Sequence, residues 1–107
     1  MRGTMVVIAT NGDTNATVYD RALELEDLSK AVGGYIEVVP RFNRFSWQGS
    51  VERCVAFCNE QGKLNGLEGN SVATLLWHSA LGRRSVNDVL VGPVAIVFGD
   101  EAFMREL

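Results

Sequence analysis

The chain lacks a basic excess: 10 Lys+Arg stand against 13 Asp+Glu, a formal net charge of −3. A general nucleic-acid binder takes most of its affinity from neutralised phosphates, so nucleic acid is not an expected partner. No run reaches the roughly 18–20 apolar residues that a membrane span needs. The apolar start, Met1–Ile8, is too short for a signal-peptide core and reads better as a first strand. Proline is scarce at 2 residues, so few positions forbid regular structure. With 47% hydrophobic and 21% charged residues, the composition is that of one folded domain over residues 1–107, expected in the cytoplasm. There are 2 cysteines, Cys54 and Cys58, in what reads as one strand. Four residues of strand span roughly 13 Å, beyond disulfide reach, so buried free thiols are expected.

The first strand, Thr4–Ala9, is followed by turn formers around Asn11-Gly12 and an alternating run, Thr17–Arg21, which together predict a hairpin. Leu25, Leu28 and Val32 then share a helical face, and Gly33-Gly34 ends that helix. Tyr35–Val39 reads as a strand closed by Pro40, Arg41–Gly49 as a connection, and Val51–Cys58 as another strand. A second helix, Val72–Leu81, is capped by Asn70 or Ser71, with Val72, Leu75, Leu76 and Ser79 on one face. Pro93–Phe98 makes a last strand, and Asp100-Glu101 starts a stub of helix. The fold expected is α+β, one mixed sheet with helices packed on it, in the order β-β-α-β-β-α-β. A β-grasp (ubiquitin-like) topology is the first choice and a ferredoxin-like one the second.

Two motifs stand out together: Val32–Pro40 (VGGYIEVVP) and Cys58–Leu67 (CNEQGKLNGL). With Asn70 and Asp88–Pro93 they resemble an uncharacterised family, domain of unknown function 3846, over about Leu25–Phe98. Its members are small proteins of bacteriophages and mobile elements, so the resemblance implies a phage origin. It carries no activity and no catalytic residue.

The residues offer two candidate surfaces. Asn59, Glu60, Lys63, Asn65 and Asn70 place amides, a carboxylate and an ammonium on one loop before a helix start. That start suits an anion, so this loop is the candidate site for a small anionic or nucleotide ligand. Arg41, Phe42, Arg44, Phe45 and Trp47 interleave guanidinium with aromatic groups, as a partner-binding face does. The same aromatics could instead fold back as a lid on the core. Arg83-Arg84 could grip phosphate or simply complement a helix C-terminus.

Chemistry finds less support. His78 is the 1 histidine and nothing in the sequence joins it to a nucleophile. Cys54, Cys58 and His78 lack the paired spacing of a zinc site, and Lys63 is followed by Leu64 where a phosphate-binding loop needs Ser or Thr. No cofactor, metal or catalytic set is expected. The leading expectation is a non-catalytic protein acting on a host protein; the alternative is the ligand binder. An open sheet edge also admits a homodimer.

Overall fold

A computed structural model describes residues 1–82 and 87–107. Arg83 and Arg84 lie outside the described residues. The elements run β1 (Gly3–Ile8), β2 (Thr14–Tyr19), α1 (Leu25–Val32), β3 (Ile36–Val38), β4 (Arg44–Trp47), β5 (Ser50–Arg53), β6 (Val55–Asn59), α2 (Ser71–Leu81), β7 (Val94–Gly99) and α3 (Glu101–Arg105). The α+β class is as expected. Five strands form the main sheet in the order β2-β1-β7-β6-β3, and β4-β5 forms a separate two-stranded ribbon. Every pairing in the main sheet is antiparallel, so it is mixed in strand order and not in direction. Neither the ubiquitin-like nor the ferredoxin-like topology is confirmed.

The sheet is covered on both faces. Val6, Ile8, Ala56, Val94 and Ile96 point to one side, where α2 packs through Trp77 and Leu81, the β4-β5 ribbon through Phe45, and the segment before it through Phe42. Met5, Phe57, Ala95 and Val97 point to the other, where Leu28 and Val32 of α1 and Phe103 of α3 close the layer. Buried on both sides, β7 reads as a continuous apolar run, VAIVF, as such a strand must.

Four local expectations are corrected. Arg41–Gly49 is not a plain connection, and Val51–Cys58 is not one strand. Gln48 and Gly49 both take positive φ, 50° and 82°, making a two-residue hairpin turn between Trp47 and Ser50. The following strand then breaks at Cys54, whose N–H donates to the Asn43 carbonyl before β6 begins. The buried face of α2 is also not the one its periodicity suggested. Ala73, Thr74, Trp77 and Leu81 are buried, while Val72 and Leu75 are exposed. Apolar residues almost encircle this helix, so tertiary bonds choose its rotation. The Trp77 indole N–H donates to the Pro40 carbonyl at 2.9 Å, and the Thr74 hydroxyl accepts from the Leu90 N–H at 2.9 Å. Finally, Leu25 opens α1 exposed, and Leu23 takes its place in the core.

The start of α1 carries an electrostatic clamp. Arg21 donates to both oxygens of Asp27, at 2.8 and 3.0 Å, and Asp27 also accepts from the Glu24 N–H. The Arg21 bond first, and the Glu24 bond second, hold the Asp27 carboxyl down at about 2. An unfolded aspartate titrates near about 3.9. A depressed folded value means that the clamp stabilises fully above that pH and fades as pH falls through about 2. The urea midpoint of wild type should therefore exceed that of Arg21→Gln at neutral pH, and the gap should close on acidification. A gap that is unchanged at low pH would show that the clamp contributes nothing.

Candidate binding pocket

The irregular stretch of residues 60–70 is held by its own turns and by the segment before β7. Asn59 anchors its start: its amide donates to the Val32 carbonyl at 3.2 Å, and its oxygen accepts from the Gln61 N–H at 2.9 Å. A Cβ at Gly34 would lie 2.9 Å from the Asn59 amide nitrogen, so glycine leaves room for that bond. Further on, the Asn70 N–H donates to the Leu90 carbonyl and the Gly92 N–H to the Glu68 carbonyl, around an antiparallel Gly69–Val91 bridge. These bonds zip residues 68–70 to 90–92. Lys63 forms an ion pair with Asp88 across the same gap.

A pocket of about 320 Å³ opens between this zipped pair of segments, Trp77 and the β3 end of the sheet. Val39, Pro40, Trp77 and Leu90 supply apolar wall, and Glu37, Glu60, Asp88 and Lys63 supply the charge. Glu37 is the cross-strand partner of Cys58, which places both on the pocket side of the sheet. Asp88 is fixed from several directions: Lys63 pairs with its carboxylate, and His78 Nε2 lies 2.8 Å from its main-chain carbonyl. The Lys63 contact first holds the Asp88 carboxyl below the usual range. Lys63 and Asp88 compensate each other, which leaves Glu37 and Glu60 as net negative charge on the wall.

Both thiols are held protonated at neutral pH. Burial pushes Cys54 up to about 11. Burial, reinforced by the Glu37 carboxylate, does the same for Cys58, against a smaller opposing effect of Lys63. A thiol held protonated is neither a nucleophile nor a ready metal ligand. Among the described residues no group of three or more His, Cys, Asp or Glu side chains could hold a metal ion.

The loop residues singled out in the sequence separate into three places. Asn59, Glu60 and Lys63 line the pocket. Asn65 lies on the opposite side of Asn59, in a shallow depression with Gly33, Gly34 and Tyr35. Asn70 is corrected from ligand group to helix cap: it is 1% exposed and its side chain bonds Ile8, Gly92 and Ala73. Sequence reasoning missed Glu37, Trp77 and Asp88. Glu37 carried a signal, a lone charge in the apolar run Tyr35–Val39, whereas the other two reach the pocket only through long-range packing.

The aromatic-Arg segment is likewise divided. Phe42 and Phe45 are 2% and 6% exposed, so they are core and not a partner face. Alternation along β4 turns Phe45 and Trp47 inward, while Phe42 is buried just before the strand begins. Trp47, half-buried, stacks on Phe45 with ring centroids 5.8 Å apart. Of the five residues named for that face, Arg41 and Arg44 are exposed, and Arg44 donates to the Ser79 carbonyl at 3.3 Å.

Gly34 and the edge strand β3 fall within the motif Val32–Pro40, and the pocket residues Asn59, Glu60 and Lys63 within Cys58–Leu67. The family model described as Domain of unknown function (DUF3846) matches residues 1–105. The chain belongs to this family. The match extends past the Leu25–Phe98 span to take in the first hairpin and α3. No curated protein and no solved structure matches the chain. No helix among the described residues of this family member is long and apolar enough to cross a membrane.

Proposed function

We propose that the protein is a non-catalytic binding protein that takes an extended segment of another protein along β3, with a Lys or Arg side chain of that segment in the pocket. The observation that carries this reading is the position of the acidic pocket directly beside a sheet edge: Glu37 and Val38 belong to both. The Glu60 N–H donates to the Tyr35 carbonyl and the Val39 N–H to the Ala56 carbonyl. By alternation Glu37 also bonds toward β6, so Ile36 and Val38 turn their main-chain groups outward. Strand addition uses such groups for affinity and an adjacent pocket for specificity. Val89, 51% exposed, gives the entrance an apolar rim. With a phage origin, the partner is a protein of the host.

The charge of the wall also bears on the alternative of a small anionic or nucleotide ligand. Glu37 and Glu60 would repel it, and the one ammonium is already paired. The test uses Trp77 fluorescence in a Trp47→Phe background, titrated with acetyl-Val-Arg-Val-amide and acetyl-Val-Glu-Val-amide. Saturable quenching by the Arg peptide alone is expected. Glu37→Gln with Glu60→Gln should weaken it tenfold or more, since bonds to charged groups contribute about 1.5–3 kcal/mol. Equal binding of the Glu peptide, or no binding of either, would sink the proposal.

A further inference from the structure

The opposite edge of the sheet is β2, and it has none of the devices that normally protect an edge. Lysine, proline, bulges or very short length blunt most edge strands. β3 is short, at 3 residues. β2 runs for 6 residues, TNATVY, without charge or proline. Its register with β1 is one-to-one from Gly3↔Tyr19 to Ile8↔Thr14, so it has no bulge. Thr14 to Val18 are all exposed, on both faces of the strand, and among the described residues nothing pairs with its outer side.

The direction of its main-chain groups follows from the turn. The Ala9 N–H donates to the Asp13 carbonyl at 2.8 Å, and the Gly12 N–H to the Ala9 carbonyl, with Gly12 at φ 91°. Asp13 therefore bonds toward β1, and so by alternation do Asn15, Thr17 and Tyr19. Thr14, Ala16 and Val18 turn their N–H and C=O groups out to solvent.

We infer that this edge pairs with the same edge of a second copy of the chain, antiparallel about a two-fold axis through Thr17. Outward-turned residues must meet outward-turned residues, which restricts the register. With the axis at Thr17, Ala16 meets the second copy's Val18 and both exchange their main-chain bonds. Thr17 faces Thr17, and Asn15 faces Tyr19. Immediately beyond the strand, Asp13 then meets the second copy's Arg21, an opposite-charge pair on each side of the axis. Arg21 is already held beside the strand end, bonded to Asp27 and lying 5.1 Å from the Tyr19 ring centroid. An axis at Ala16 would set Asp13 against Tyr19, and one at Val18 would set Arg21 against Asn15. Neither pairs the charges, so charge complementarity selects Thr17. The contact is self-complementary, as a two-fold interface requires, and joins two five-stranded sheets into one. It lies at the edge away from β3 and does not depend on the pocket.

Sedimentation and light scattering test it. Wild type should have twice the chain mass at micromolar concentration. Ala16→Pro should be a monomer with unchanged circular dichroism, because the N–H it removes does not bond β1 and an edge strand tolerates proline. Thr17→Asp, which sets two like charges face to face at the axis, should weaken the dimer and regain it as salt rises. In Thr17→Cys, a non-hydrogen-bonded pair with Cα atoms about 4.5 Å apart should oxidise to a covalent dimer. A monomeric wild type, or a dimer untouched by both Ala16→Pro and Thr17→Asp, overturns the inference. Cross-linking through Ala16→Cys in place of Thr17→Cys overturns the register.

Discussion

Phe103→Ala is expected to destabilise the protein by about 3–5 kcal/mol, the range for deleting a fully buried phenylalanine. That is a large share of the total stability of a domain this size. Phe103 is 0% exposed, and its ring fills a seat cut into the sheet. The seat is a cross-strand pair of glycines, Gly3↔Gly99, at the point where β1 meets β7. A Cβ at Gly3 would overlap the ring itself, and one at Gly99 would lie 2.6 Å from the Arg2 carbonyl oxygen. Asp100 aims the ring by capping α3: its carboxylate accepts from the Phe103 N–H at 2.9 Å and from the Arg2 N–H at 2.8 Å. Gly3→Ala should accordingly be destabilising from the opposite direction, by about 1–3 kcal/mol of overpacking. Urea unfolding of both variants checks this. A loss below 1 kcal/mol in Phe103→Ala would mean that the seat closes over the void.

Asn70→Ala should cost a comparable amount, about 2–4 kcal/mol, without removing any hydrophobic surface. Losing a helix cap costs about 1 kcal/mol. The further cost comes from the carbonyls of Ile8 and Gly92, which would lose a buried donor at 2.9 and 3.0 Å. Asn70→Asp separates the two effects. It keeps the cap acceptor for the Ala73 N–H, at 3.1 Å in wild type, but turns an oxygen toward two carbonyl oxygens. It should be at least as destabilising as the alanine variant at neutral pH and should recover on acidification, once the carboxyl can donate. If Asn70→Asp matches wild type, Asn70 is only a cap.

Short-range chemistry made much of this architecture readable. Asn11-Gly12 marked the first hairpin, Gly33-Gly34 the end of α1, and Asp100 the start of α3, because each acts on its own neighbours. The β4-β5 ribbon escaped notice because its turn is Gln48-Gly49, and glutamine is not a residue that advertises positive φ. The rotation of α2 was unreadable for a different reason: with apolar residues almost all round, the choice rests on Pro40 and Leu90, which bond it from elsewhere in the chain. The candidate site divides in the same way. Asn59, Glu60 and Lys63 are close in sequence and were visible as a polar loop. Their pocket exists only because Glu37, Trp77 and Asp88 arrive from three other segments.

The place of β7 has a consequence for how the chain comes together. It lies at the centre of the sheet, between β1 and β6, so within the sheet the two flanking halves are joined only by pairing with it. During synthesis the first hairpin and the β3–β6 half would be made and held apart, each with raw apolar faces, until residues 94–99 left the ribosome. Pairings as remote as Gly3 with Gly99 are slow to find because loop closure precedes any gain. The strand that completes the core is thus made after every strand it joins, and a nascent chain stalled before it would expose both unfinished halves to chaperones and proteases.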